Sequence, residues 1–283
     1  MRVRVSGAAA LVAVAALFMH TLVAAAPQGG RGGRGGQAAP RPAAAGPTDV
    51  KQVLYDAADT LGMLREVEEE DRISSIVYGA TGTMTVQGQP CKLANYKASV
   101  NYLFSGMRVD FACATPAGQP GQRQIQVVNG RFAWNETTPG VGATPAAATA
   151  SERQVQIWML PEGAVKAAVA AGANTKVTVE GGNTVLTFPL PAGLTGTEKV
   201  TLNAKHFIDR VEVRMGTTVL ENAYADYGDW NGDDYLSDVL FPKHIVQKQG
   251  PVTVLDLTIT KTNTYNPYVI MPVPENVEKA GTR

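Results

Sequence analysis

With 283 residues the chain can hold one large domain or two small ones, and its 45% hydrophobic and 18% charged residues suit a packed core, which excludes wholesale disorder. Lys and Arg total 25 and Asp and Glu total 25, with no basic patch interleaved with aromatics, which argues against a nucleic-acid partner.

Arg2 and Arg4, the apolar run Ala8 to Phe18, and the small residues Ala24 to Ala26 form the three-part pattern of a cleaved secretory signal over residues 1–26. The run is shorter than the roughly 20 residues that span a bilayer, so no membrane anchor is expected after cleavage. Residues 27–47, rich in Gly, Arg, Pro and Ala, read as a flexible linker. The expected location is therefore the periplasm or the cell exterior. Export also favours pairing of the chain's two cysteines, Cys91 and Cys113, with two separate buried thiols as the alternative.

The folded part begins near Thr48 as a single domain over 48–283. Val50, Val53, Leu54, Ala57, Ala58, Leu61 and Leu64 recur at three- and four-residue steps, which predicts an amphipathic helix. Glu66 to Asp71 then reads as a solvated connection. From Ile73 the apolar period changes to two, the mark of half-buried strands. Tyr96 to Phe104 and Met107 to Cys113 form a predicted hairpin about Ser105 and Gly106, and strands are expected at 73–86, 124–128, 131–134, 177–179 and 185–188. Five more are expected at 200–204, 207–215, 219–227, 240–248 and 252–262. Between them, Ser151 with Gln154 has the form of a capping box, and Pro161 opens a second helix running to Ala171, before Gly172. A Pro-rich tail follows the last strand. The predicted fold class is mainly β (α+β): an unclosed antiparallel barrel or strongly curved sheet wrapped over a few helices.

The chemistry of common enzymes is missing. His206 and His244, the histidines of the mature chain, have no second His or Cys at zinc-ligand spacing. No Gly-x-Ser-x-Gly, Ser-x-x-Lys, phosphate-cradling Gly-x-x-x-x-Gly-Lys or His-Glu-x-x-His occurs. Asp229, Asn231 and Asp233 stand at the first three ligand spacings of a calcium loop, but Asp234 and Leu240 occupy the places of its Gly and bidentate Glu. No metal and no cofactor is expected. Scattered carboxylates such as Glu221 or Asp226 near Tyr224 are what a hydrolase without a recognisable motif would have to use.

The stretch Tyr224-Ala-Asp-Tyr-Gly-Asp229, then Leu240-Phe-Pro-Lys-His-Ile-Val-Gln-Lys-Gln-Gly250 and Leu255-Asp-Leu-Thr-Ile-Thr-Lys261, resembles the closing strands of the periplasmic outer-membrane lipoprotein-carrier superfamily. It is more closely similar to the region preceding the catalytic domain in some exported metallo-β-lactamase-fold proteins, and Trp158 to Ala168 fits the same group. The resemblance implies an unclosed barrel over helices whose concavity accepts lipid chains. Two histidines do not supply the metal cluster of that enzyme. The expected function is thus a non-enzymatic binding protein holding a lipid or other hydrophobic ligand, with Tyr102, Phe104, Trp134, Trp158, Tyr227 and Phe241 as candidate lining residues. The alternative is an interaction module that docks a protein of the cell envelope.

Overall fold

The computed structural model describes residues 49–65, 70–71, 73–230, 239–264 and 266–281, all within the compact unit Ala44–Arg283. The expected signal and linker, and Asn231 and Asp233 of the calcium-loop pattern, lie outside the described residues.

Helix α1 (Val50–Thr60) starts where the Asp49 carboxylate accepts the Lys51 N–H at 3.0 Å, satisfying one of the orphan donors of the first turn. It buries Val53, Ala57 and Ala58, and the chain leaves it through Gly62 at φ 71°. A two-residue ladder follows, β1 (Leu64–Arg65) against β2 (Glu70–Asp71), at the ends of the acidic run.

All remaining strands join one 13-stranded antiparallel sheet. The first half is a meander of β3 (Ser75–Val86), β4 (Gln89–Asn101), β5 (Gly106–Ala114), β6 (Pro120–Asn129), β7 (Phe132–Glu136) and β8 (Thr144–Pro145). The second half runs through β9 (Lys176–Glu180), β10 (Asn183–Pro189), β11 (Thr197–Leu202), β12 (Ile208–Met215), β13 (Thr218–Asp229), β14 (Leu240–Gln249) and β15 (Val252–Asn263). The last strand returns beside the first, with Ile259 opposite Ala80 and Leu257 opposite Gly82. The two meanders are thereby one sheet, whose ends β8 and β9 do not pair with each other. Register shifts at Gly79/Thr83, Leu93/Asn95 and Ile259/Lys261 mark bulges in the central strands, the local device that bends and coils a sheet.

The segment linking the meanders supplies helices α2 (Ala150–Trp158) and α3 (Pro161–Ala171), which pack on one face of the sheet beside α1. Opposed residues of paired strands share a face. Tyr78, Tyr96, Phe111, Leu186, Phe188, Val213 and Leu257 therefore point toward these helices and form one core with Val155, Ile157, Ala164 and Ala168. Gly163 lets α3 come close: a Cβ there would lie 2.2 Å from the Ile157 carbonyl oxygen. The disulfide joins Cys91 on β4 to Cys113 on β5, with Cα atoms 5.3 Å apart.

Several sequence expectations need correction: the helical stripe ends at Thr60 and Leu64 belongs to β1, and Glu70–Asp71, expected in a solvated connection, is strand β2. Ser151 does not cap α2: Thr149 holds the N-cap position without a side-chain cap bond, after a 3-10 turn over Ala147–Thr149. And β4 ends at Asn101, because its side-chain oxygen accepts the Leu103 N–H at 2.9 Å and turns the chain three residues before the two-residue rhythm of apolar side chains runs out.

The opposite, convex face carries a smaller core. Past β15 the tail crosses β5 to β7 and buries Val269, Met271 and Val277 against Ile125, Val127 and Trp134. Asn101 Nδ2 donates to the Val269 carbonyl at 2.9 Å, and Asn129 Nδ2 to that of Met271 at 2.7 Å. The tail ends in a short helix, α4 (Glu275–Gly281).

Candidate ligand-binding cavity

Helices fill most of the concavity, but at the end where the β3–β4, β5–β6 and β14–β15 hairpins turn they leave a cavity of about 720 Å³. Its apolar wall comes from inward positions set by the pairing register: Tyr78 and Met84 of β3, Tyr96 of β4, Val109 of β5, Ile245 of β14 and Leu255 of β15. The same two-residue alternation puts amides on the remaining inward positions, Gln124 and Gln126 of β6, Asn222 of β13 and Gln247 of β14, with Gln156 facing them from α2. The cavity therefore has a greasy floor and an amide rim.

The rim is ordered by a hydrogen-bond chain. Gln247 Nε2 donates to Gln156 Oε1 at 2.7 Å and to Asn222 Oδ1 at 2.8 Å, and Asn222 Nδ2 donates to the Tyr224 hydroxyl at 2.9 Å. That hydroxyl donates to the Met159 carbonyl, which ties the α2–α3 corner to the sheet. Arg153, on the rim, is committed to structure: it donates to the Val127 and Trp134 carbonyls at 3.0 and 2.7 Å and to Asn135 Oδ1 at 2.7 Å. Burial lowers its affinity for the proton, against the opposing charge of Glu152. On the floor, burial pushes the Tyr96 hydroxyl up to about 12 and that of Tyr78 well above its ordinary range, so both rings stay neutral.

Two carboxyls are fully buried, Glu162 on α3 and Glu198 on β11. Glu162 stands in the first turn of α3, where the helix dipole favours negative charge. Neither oxygen of Glu198 has a hydrogen-bond partner among the described residues, and burial raises its pKa well above the carboxylate range. Burial foremost, and then the charges of Glu198 and Glu162, also raise the Tyr224 hydroxyl. Glu198 was visible in the sequence only by phase, since it stands two and four residues before the inward Val200 and Leu202.

The six candidate aromatics are not gathered at one place, and none lines this cavity. Tyr102 sits in the turn after β4 with its ring 6.5 Å from that of Trp158 and 5.1 Å from Lys166 Nζ. Phe104 is 54% exposed on the same turn. Trp134 lies on the convex face under the tail, donating to Glu136 Oε1 at 2.9 Å. Tyr227 stacks on Phe207 at 4.6 Å and donates to the Ile208 carbonyl at 2.7 Å, and Phe241 is wholly buried 5.2 Å from Tyr78. Sequence reasoning missed the amides and aliphatics of the wall because period two shows that a side chain shares a face without showing which face stays unfilled.

The other candidate groups take surface or structural places. Glu221 pairs with Arg210 at 3.4 Å, Asp226 sits at a backbone irregularity with φ 58°, and His244 Nε2 meets Asp256 Oδ1 at 2.8 Å on the exposed side. Among the described residues no group of three or more His, Cys, Asp or Glu is placed to hold a metal ion. A second, more apolar groove of about 880 Å³ runs between α1 and α3, along Leu54, Tyr55, Ala58, Ala168 and Val169.

No family model and no curated protein matches the chain. Solved structures are similar to it at low identity. A domain described as an outer membrane lipoprotein-sorting protein from Vibrio parahaemolyticus aligns at TM-score 0.46 and 10% identity, over 83% of this chain and 99% of that one. A LolA superfamily protein from Nitrosomonas europaea aligns at TM-score 0.43 and 11% identity, over 81% and 96%. A DUF1329 family protein from Desulfovibrio piger aligns at TM-score 0.43 and 9% identity, over 76% and 92%.

Proposed function

We propose that the chain is an exported, non-catalytic binding protein that holds an amphiphilic, lipid-like molecule in the cavity of its concave sheet. The observation that carries this reading is the pairing of an apolar floor with an amide rim in a space of about 720 Å³, which suits a chain-like apolar body with a polar end. The Gln and Asn side chains of the rim suit hydrogen-bonding head groups, esters, amides or hydroxyls, and Arg123, Glu152 and Arg153 stand in the same lining.

The test is uptake of a fluorescent fatty acid and of a lysophospholipid by the purified protein, followed by titration and native mass spectrometry. Leu255→Trp puts an indole into the cavity floor, whereas Val169→Trp, at an exposed position of the groove between α1 and α3, obstructs that groove and leaves the cavity open. Loss of binding by tenfold or more in Leu255→Trp alone is the expected result. Undiminished binding in Leu255→Trp, or no uptake by the parent protein, sinks the proposal, and loss in Val169→Trp alone moves the site to the groove.

A further inference from the structure

The two ends of the sheet are finished differently. At one end β8 is two residues long and contains Pro145, which offers no N–H, so that edge is blunted as natural edge strands commonly are. At the other, β9 is a five-residue strand, Lys176-Val177-Thr178-Val179-Glu180, paired in unbroken register with β10 and containing neither proline nor a bulge. Its outward backbone groups bond to no other described residue. An open, regular edge of this kind is a template for another strand.

The sequence of β9 is complementary to itself under a twofold axis. When two copies of the strand run antiparallel with Thr178 opposite Thr178, Lys176 of each copy stands opposite Glu180 of the other. Val177 likewise stands opposite Val179. The pleat sorts these pairs. Val177 and Val179 face the helix side of the sheet with Leu186 and Thr184, and Lys176, Thr178 and Glu180 face the other side. Val179 is 48% exposed, apolar area that such a pair would cover. Glu180 already meets Lys199 at 2.7 Å on the exposed side, so a second cation would join an existing pair rather than an isolated carboxylate.

The strand is also held ready. Just before it, the Thr175 hydroxyl donates to the Ala168 carbonyl at 2.6 Å, fastening its start to α3, and just after it Gly181 and Gly182, both at positive φ, turn the chain straight into β10. A pre-formed edge loses little conformational entropy on pairing.

We infer that two copies of this chain associate through β9, edge to edge, into one continuous antiparallel sheet. The contact is small beside a standard protein interface, so the association is a weak one, formed at micromolar to millimolar concentration and weakened by salt through its two charge pairs. It does not depend on the ligand reading, since β9 lines neither cavity.

The experiment is sedimentation equilibrium of the purified protein over a wide concentration range at low and high salt. The parent protein is expected to show a mass rising with concentration toward twice that of the monomer. Lys176→Glu puts Glu opposite Glu in both pairs and Glu180→Lys puts Lys opposite Lys, so each variant alone should associate at least tenfold more weakly. Mixing the two variants puts Glu opposite Lys in both pairs and restores association, and the double variant Lys176→Glu/Glu180→Lys restores it in a single chain. Both positions are exposed, so melting temperatures serve as the check that every variant is folded. A parent protein that stays monomeric throughout overturns the inference, whether the edge is bare or covered by another part of the chain. So do reversals that leave association unchanged, and a mixture that fails to recover it.

Discussion

Glu198 shows how one side chain can set the pH behaviour of the whole domain. It stands in phase with Val200 and Leu202 on β11, so the pleat carries its carboxyl inward, where burial holds its folded-state pKa well above the ordinary value of 4.5. Below that value the carboxyl is protonated in the folded and unfolded chain alike, and its ionisation has no effect on stability. As pH rises past it, the unfolded chain ionises while the folded chain keeps its proton, so stability falls until the raised folded-state pKa is reached. Every tenfold difference in proton affinity between the two states costs about 1.4 kcal/mol at the upper end of that window. Glu198→Gln removes the ionisation and keeps the shape. Thermal melts from pH 4 to pH 8 should show the variant more stable than the parent at pH 8, with the gap closing toward pH 4. A gap that is the same at both ends would mean that this carboxyl is not the titrating group.

At the scale of elements, α2 and α3 meet in close backbone contact. Pro161 occupies the first turn of α3, where its missing N–H costs nothing, and two residues later Gly163 passes the end of α2. A methyl at Gly163 would sit 2.2 Å from the Ile157 carbonyl oxygen and 3.1 Å from the Trp158 Cα, both backbone atoms that cannot swing aside. Alanine is otherwise the better helix former by about 1 kcal/mol, so propensity and packing make opposite predictions here. Packing should win: Gly163→Ala is expected to cost about 1–3 kcal/mol, read as a lower urea midpoint with an unchanged slope. A midpoint at or above that of the parent would show that the helices have room to part. The same corner is fastened to the sheet by the bond from the Tyr224 hydroxyl to the Met159 carbonyl, so its loosening would also disturb the amide rim of the cavity.

The described residues form two cores of unequal size, one between the sheet and its helices and one between the sheet's outer face and the tail. The outer core rests on few apolar residues, chiefly Met271, Val269 and Val277 over Trp134, and should open before the sheet does. Met271→Ala is expected to cost about 2 kcal/mol and to let a protease trim the tail back toward Asn263 while the sheet stays intact. A tail cleaved no faster than the sheet itself would show that the two cores open together. The sequence alone determined much of this architecture. The change from three- and four-residue steps at Val50–Leu64 to a period of two after Ile73 is local physics, because backbone geometry fixes which side chains share a face, and it located α1 and most strands of the large sheet, whereas α4 and the short β1, β2 and β8 left no such rhythm. Export context pointed to the Cys91–Cys113 pair. Which inward residues enclose space and which are filled was decided only in three dimensions, by where the helices lie against the sheet. The same alternation that placed Trp134 in a strand left open whether it faced the helices or the tail, and the pairing register alone put it on the outside. The cavity wall belongs instead to Tyr78, Tyr96, Met84, Val109, Leu255 and a set of amides that only long-range pairing brings together.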